Sequence, residues 1–414
     1  MGRGLYESFP VFAAVFDEVC GQWAEPLRQA VRQVVFGPLV EVVDTAVVQP
    51  ALFAVQVALF RLLESWGVTP DSVAGHSVGE IAAACVAGVF SVSDAARLVC
   101  ARAALMAGLP VAGVMVAVAA AETDVTPLLT GGVAVAAVNG PRQVVVSGEP
   151  RAVQAVTDAC AANGWKTRRL RVSHGFHSPV MDPILDDFTT VARTLTYHEP
   201  GIRMVSTVTG QPVEPGLLTD PAYWVRHVRD TVRYHDALTA LAEREVETVL
   251  EIGPDGTLSS LDTDSGLTFV PALRGERDEA ATLTTAMAQL VARGVRVDWE
   301  AIFAGTGARR VELPTYAFRH QHYWHTPARQ SETDTDFWEV VDSGDVDSLT
   351  QTLGLSGDQP LSVVLPALSR WRRERHDDSV VDGWRYRVSW SLLPGVGGVL
   401  SGVWLLLDPD PGLV

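Results

Sequence analysis

Ser77 lies between two glycines in "DSVAGHSVGEIAAACVAG", residues 71 to 88. G-x-S-x-G between an apolar stretch and an alanine-rich one is the pattern of a nucleophile elbow, a sharp strand-to-helix turn that exposes the serine hydroxyl. At the N-terminus of the following helix the Val78 backbone N–H points outward and can stabilise an oxyanion. A tight turn whose glycines are purely steric fits the same letters. A nucleophilic serine needs a base. Of the ten histidines, His174 and His177 in "VSHGFHSP" follow a strand candidate and stand at its exit. His177 is the expected base and His174 a residue of the pocket wall; a surface or satisfied core histidine is the plainer alternative for either. His76 is expected to be structural, since at an elbow it points away from the serine oxygen. The third element is Arg102 in the apolar stretch "LVCARAALM". Its guanidinium either snorkels to solvent or clamps a carboxylate with its planar fork.

These residues need an α/β frame. "SVAGH" reads as a short strand and "GEIAAACVAG" as a helix ended by Gly88. "QPALFAVQVALFRLLESWG" (49 to 67) is a long helix with Pro50 in its first turn. Residues 6 to 34 carry helical spacing, and 91 to 108 form a further helix with Ser93 as N-cap. From about residue 112 the order becomes β-α-β-β-α-β: "GVMVAVAA", "TDVTPLL", "GVAVAAVNG", "RQVVVSGEP", the helix "RAVQAVTDACAANG" and a last strand "KTRRLRVSHGFHS". That is the order of a ferredoxin-like unit, here inserted into a larger α/β body. The body resumes with the helix "PVMDPILDDFTTVARTL", a strand and turn in "ETVLEIGPDGTLSSL", and a helix over 282 to 303. Residues 311 to 325 are rich in aromatics and read as a segment packing across a surface. Residues 330 to 360 read as an acidic linker with one short helix, and 380 to 393 and 402 to 409 as strands.

Composition narrows the function classes. A net charge of −17 argues against a nucleic-acid partner. Lys166 is the only lysine. With Arg168, Arg169 and Arg171 it forms a basic strip suited to phosphates or an acidic protein, or merely a solvated strand face. Cys20, Cys85, Cys100 and Cys160 form no CxxC pair, which fits a reducing cytosol and gives no metal site. The longest apolar run, 109 to 121, is too short to span a bilayer, and the N-terminus lacks the features of a signal peptide. No membrane partner is expected, and the location expected is the cytoplasm.

"GHSVGE", Arg102 twenty-five residues after Ser77, "AAVNGPRQVVVSG", "SHGFHSP" and "EIGPDGTL" together resemble the acyltransferase domain of modular type I polyketide synthases. The resemblance covers residues 1 to about 300. "LPTYAFRHQHYW" resembles the linker that follows such domains, and residues 367 to 393 through 409 are similar to the start of a ketoreductase structural subdomain. The fold implied is a hydrolase-like parallel-sheet α/β core at 1–111 and 179–303, lacking its first strand. Residues 112–178 are then the ferredoxin-like subdomain, 304–330 the linker, and 331–414 a further linker with a partial α/β segment.

The resemblance implies a ping-pong transfer. Ser77, with His177 as base, attacks the thioester of malonyl-CoA, and Arg102 pairs with the free carboxylate. The phosphopantetheine thiol of an acyl carrier protein then takes the acyl group. Gln49 and Asn139 match polar pocket positions, and backbone carbonyls rather than an acid orient the histidine. No bound cofactor is implied, and no NADPH site. A ketosynthase upstream and a ketoreductase downstream are the implied neighbours.

"HGFH" and Val78 resemble the malonyl pattern, and Phe176 would crowd an α-methyl group. "DTAVVQP" is partly similar to the methylmalonyl pattern, and Gly175 stands where the malonyl pattern has alanine. The family's "GQGSQ"-like turn, which carries a second oxyanion donor, is not found, so the sequence is expected to be a fragment of a larger synthase. A serine thioesterase-type hydrolase and an inactive fragment are the rival readings. The arginine and the ferredoxin-like insert speak against the hydrolase.

Overall fold

Helical spacing of apolar residues gives the second and third helices a buried stripe, and the short first helix buries Leu5. The three are α1 (Arg3–Ser8), α2 (Pro10–Gly21) and α3 (Glu25–Phe36). Leu5, Phe12, Phe16, Val31 and Val35 enter one core with the long helix α4 (Thr45–Ser65). The sequence puts the start of that helix at Pro50. In the computed structural model it starts at Thr45, because the Asp44 carboxylate caps it by accepting from the Ala46 N–H at 2.9 Å. Pro50 therefore lies inside the helix, at the cost of one main-chain hydrogen bond. Among the described residues α4 has the length and apolarity to cross a membrane, but 67 % of that window is buried inside the protein, as a core helix requires.

The structure describes residues 1–37, 44–110, 113–261, 265–312, 332–356 and 359–383. The chain divides into two units, Met1–Arg310 and Val311–Val414. After α4 the first unit runs through β1 (Ser72–Val73), α5 (Val78–Val86) and α6 (Val92–Ala107). Ser91, not the expected Ser93, caps α6, since its Oγ accepts from the Asp94 N–H at 3.0 Å.

The insert follows as β2 (Val114–Val118), α7 (Glu122–Val125), β3 (Val133–Gly140), β4 (Gln143–Gly148), α8 (Pro150–Ala162) and β5 (Thr167–Arg169). Its sheet has the order β3-β4-β2-β5, antiparallel throughout, which is the ferredoxin-like arrangement. Strand alternation divides the side chains between two cores. Val114, Val116, Val118, Val135 and Val146 pack with Val153, Val156 and Cys160 of α8. Met115, Ala137 and Val145 share the opposite cluster with Val232, Leu238 and Leu241. The last strand is shorter than the sequence suggests. Pairing stops near Leu170, and the stretch holding both histidines is a loop in which His177 has a φ of 53°, incompatible with a strand.

The body resumes through a 3₁₀ turn at Pro179–Ile184, then α9 (Leu185–Ala192), β6 (Arg203–Met204), α10 (Pro221–Arg229) and α11 (Tyr234–Ala242). It closes with β7 (Thr248–Glu251), β8 (Thr268–Pro271), α12 (Glu279–Ala292) and α13 (Trp299–Phe303). β1 pairs with β6 and β7 with β8, both parallel. The architecture is the expected hydrolase-like α/β core with a ferredoxin-like insertion. The single helix expected over 282 to 303 is two helices, because Gly294 turns the chain at φ 89° and Asp298 caps a new start.

In the second unit, the stretch expected to hold one short helix holds two, α14 (Glu332–Ser343) and α15 (Val346–Thr352). They precede α16 (Leu361–Gly383). Phe337 stacks on Trp371 with centroids 4.1 Å apart, joining α14 to α16. Residues 380 to 383, expected to open a strand, end this helix instead. The rest of that strand candidate, the one at 402 to 409 and the aromatic stretch from 313 lie outside the described residues.

Candidate active site

The elbow is built by close packing. Gly75 has no room for a side chain: a Cβ there would lie 2.3 Å from the Glu80 nitrogen and from the Gly79 carbonyl group. Ser77 is the N-cap residue of α5 with φ 51° and ψ −124°, a strained conformation for a residue with a Cβ. Its carbonyl accepts the Glu80 N–H at 2.8 Å, closing the first turn. The Val78 N–H has no partner among the described residues. Gly75→Ala is expected to destabilise the domain by about 1–3 kcal/mol or more, as overpacking against fixed backbone does. Denaturant titration checks this.

The chain brings the expected partners to this serine from distant segments. The Ser77 Oγ and His177 Nε2 are 2.8 Å apart. His177 Nδ1 lies 2.9 Å from the Asp230 carbonyl oxygen. A carbonyl only accepts, so Nδ1 carries the proton, Nε2 is left with its lone pair, and the serine hydroxyl donates to it. Burial, followed by the nearby Arg102 charge, holds the imidazole well below its ordinary value and so neutral. An Arg102 guanidinium nitrogen donates to the same serine oxygen at 3.1 Å.

Arg102 is 2 % exposed, which excludes the snorkelling reading. A second guanidinium nitrogen donates to the Gln49 amide oxygen, and the Gln49 amide nitrogen donates to Thr45 Oγ1 at 2.6 Å. The Arg102 Nε has no partner, and no carboxylate pairs with this cation among the described residues. Burial lowers its pKa to about 10, so it stays charged at neutral pH. A buried, charged fork with a free donor beside a nucleophile is a ready receptor for an anionic group.

A second buried network lies behind the elbow, and the sequence reading misses it. The Glu80 carboxyl is fully buried and accepts from the Thr207 N–H at 3.1 Å, from the Thr207 hydroxyl and from the Tyr223 hydroxyl. Burial outweighs those donors and pushes its pKa up to about 7. His227 Nε2 donates to the Ser77 carbonyl at 3.1 Å, and burial lowers this imidazole to about 3. The available signal was Glu80 at the third position of a helix, where a carboxylate satisfies free N–H groups; nothing in "WVRHVRD" marks His227.

Asn139 accepts from His76 at 3.0 Å, so it steadies the elbow's histidine, and His76 meets Tyr234 edge to face. His174 is half-buried, with Nδ1 2.9 Å from Ser173 Oγ and its ring 6.0 Å from Phe176. Phe176 packs between the main core and the cluster around α11. Arg168 and Arg169 are exposed on the edge strand β5. Among the described residues no group of His, Cys, Asp and Glu could hold a metal ion.

Comparison with known proteins agrees with this fold. The acyl transferase domain family matches residues 1–297, and the polyketide synthase dimerisation element domain matches 334–377. The chain is 48 % identical over 442 aligned residues to polyketide synthase GfsA of Streptomyces halstedii, covering 99 % of this chain and 6 % of that protein. It is 47 % identical to mycoketide-CoA synthase of Mycobacterium tuberculosis over 78 % of this chain and 8 % of the relative. It thus spans a small part of these curated relatives. Among solved structures, the acyltransferase domain from the second module of the salinomycin polyketide synthase is 51 % identical, with a TM-score of 0.71 over 77 % of this chain and 76 % of that one. The acyl transferase domain of SpnD, solved in complex with 2-(pent-4-yn-1-yl)malonyl, is 37 % identical, with a TM-score of 0.66 over 71 % and 73 %. The dimerisation element falls on α14 to α16, within the stretch for which the sequence suggested a linker and the start of a reductase subdomain. The chain belongs to the acyltransferase domain family of modular type I polyketide synthases, followed by a dimerisation element.

Proposed function

We propose that this domain transfers a malonyl unit from malonyl-CoA, through an ester on Ser77, to the phosphopantetheine thiol of an acyl carrier protein. The observation that carries this reading is Arg102: a buried cation with an unused donor and one nitrogen on the nucleophile's own oxygen. An acyl chain ending in a carboxylate supplies the missing anion, and one without it leaves the charge unpaired. The SpnD relative, named as a complex with a substituted malonyl group, is in keeping with this.

His177 takes the Ser77 proton as the serine oxygen attacks the thioester carbonyl, and the Val78 N–H at the start of α5 receives the developing oxyanion. The C–S bond breaks, and the coenzyme A thiolate takes the proton back from His177. In the second half the carrier's thiol gives its proton to His177, its sulfur takes the acyl carbon, and Ser77 leaves with the proton. Gln49 holds the guanidinium fork from behind, and His174 and Phe176 close the wall where an α-substituent would sit. The bulk of Phe176 favours malonyl over methylmalonyl. An acyl carrier protein, an upstream ketosynthase and a downstream ketoreductase in the cytoplasm are the setting that belongs to this reading.

Incubation with radiolabelled malonyl-CoA tests it. Label is expected to stay on the wild-type chain and to be absent from Ser77→Ala. Rapid release of malonate to water would make it a hydrolase, and equal labelling by methylmalonyl-CoA would remove the selectivity. The depressed His177 pKa adds a pH prediction. A base whose folded pKa lies below 6.5 stays unprotonated as pH falls through 6.5, so the acylation rate should hold there and decline only at lower pH. A rate that halves at pH 6.5 would contradict it.

A further inference from the structure

We infer that Thr231 and the Arg233–Glu122 pair are positioning residues, part of a segment, Arg229–Arg233, that registers the His177-orienting carbonyl against the edge of the ferredoxin-like subdomain. The inference rests on the reading of Ser77 and His177 as an acylation pair, and not on the choice of malonyl.

Consecutive residues of this segment, which leaves α10 and leads into α11, hold different parts of the site. Arg229 Nε donates to Asp182 Oδ1 at 2.6 Å, just past the loop that carries His177. The Asp230 carbonyl accepts from His177 Nδ1. The Thr231 hydroxyl donates to the Val135 carbonyl at 2.7 Å. The Val232 N–H donates to the Ala136 carbonyl, and its own carbonyl accepts from the Val138 N–H, both at 2.9 Å. The Arg233 N–H donates to the Thr207 carbonyl at 2.6 Å, and Thr207 in turn holds the buried Glu80 behind the elbow. The Arg233 guanidinium donates to Glu122 at 2.6 Å, on α7 of the subdomain.

β3 is an edge strand, and Val232 adds to its open side beside the register shift between Val135 and Ala137. A bulge at an edge locally re-aims a strand and is used next to active sites. Here it receives the segment whose preceding carbonyl aims the base. Nothing else in the described contacts of Asp230 ties its carbonyl down; its N–H bonds back to Arg226 at the end of α10. The carbonyl's position is therefore set by Thr231 and Val232 on one side and by the end of α10 on the other. A shift of the subdomain relative to the core would move the segment, and with it the hydrogen bond that fixes the imidazole's tautomer and direction. Alignment within a few tenths of an ångström is what general-base catalysis requires.

The test uses the whole chain and a fluorophosphonate probe, which reacts with an activated serine whatever its natural acyl group. Thr231→Val keeps the shape and removes one hydrogen bond, so it should slow labelling of Ser77 by about fivefold. Thr231→Ser keeps the hydroxyl and should restore the wild-type rate. Glu122→Gln should slow it by about two- to fivefold, and the double variant with Thr231→Val by less than the product, because both loosen one segment. The ¹⁵N imidazole spectrum should show the Nδ1–H tautomer of His177 losing population in the valine variant. Wild-type rates in Thr231→Val and Glu122→Gln, or a serine variant as slow as the valine one, would overturn the inference. A wild-type chain inert to the probe would overturn both it and the acylation pair. A chain that reacts with the probe but takes no malonyl would leave the inference standing and sink only the proposed substrate.

Discussion

Arg102→Ala is expected to invert the acyl preference of the domain. Malonyl-CoA should acylate Ser77 slower by a factor of about 30 to several thousand, the kinetic equivalent of about 2 to 5 kcal/mol for truncating one partner of a desolvated charge pair. Acetyl-CoA, which offers no carboxylate, should be handled no worse than by wild type. The surroundings of the side chain dictate this. Arg102 comes from an otherwise apolar face of α6, is 2 % exposed, and among the described residues hydrogen-bonds only to the Gln49 oxygen and the Ser77 hydroxyl. A buried cation with so little compensation is tolerable where an anion arrives in the reaction. Arg102→Lys should not restore the preference, since a lysine cannot both reach Gln49 and present a planar fork to a carboxylate. Competition between the two coenzyme A esters, read as the mass of the acylated chain, measures it.

His177→Ala is expected to lower the acylation rate by about 100- to 10,000-fold with any acyl-CoA, the range that a positioned general base contributes. Unlike the arginine variant, it should leave the ratio between malonyl and acetyl esters unchanged, because the imidazole contacts the serine and not the acyl tail. The two variants therefore separate proton transfer from recognition. His177 is buried and neutral, so its removal opens space without stranding a charge. Fold integrity can be checked by the near-ultraviolet spectrum of the tryptophans, Trp224 among them, which packs 5.7 Å from His227.

Much of this site could be read from one sequence, for physical reasons. The elbow is local: a glycine where a Cβ would strike backbone 2.3 Å away, a serine, a glycine and a helix are all within a few residues. The ferredoxin-like insert was legible because its strands alternate and its turns are marked by glycine and proline. The shared position of Ser77, His177 and Arg102 depended on the family resemblance, since residues 25 and 100 positions apart carry no distance information of their own. The Glu80–Thr207–Tyr223 cluster was not legible: its members lie up to 143 positions apart, and Thr207 and Tyr223 resemble any other threonine and tyrosine. The orienting Asp230 group is a main-chain carbonyl, which no side-chain pattern announces. The start at Thr45 was missed because Pro50 fits a first turn as well as an interior position that a preceding Asp44 cap allows, and the start at Val92 because Ser91 and Ser93 compete as caps and only the side-chain geometry chooses between them.

In the proposed reaction a carboxylate-bearing thioester held by Arg102 acylates Ser77. Intact-mass and peptide analysis after exposure to equal amounts of malonyl-CoA and acetyl-CoA tests it most directly. A malonyl ester is expected on the peptide that contains Ser77 in wild type, acetyl label should dominate in Arg102→Ala, and neither should form in Ser77→Ala. Equal acetyl and malonyl label on the wild-type chain, or label that persists in Ser77→Ala, would contradict it.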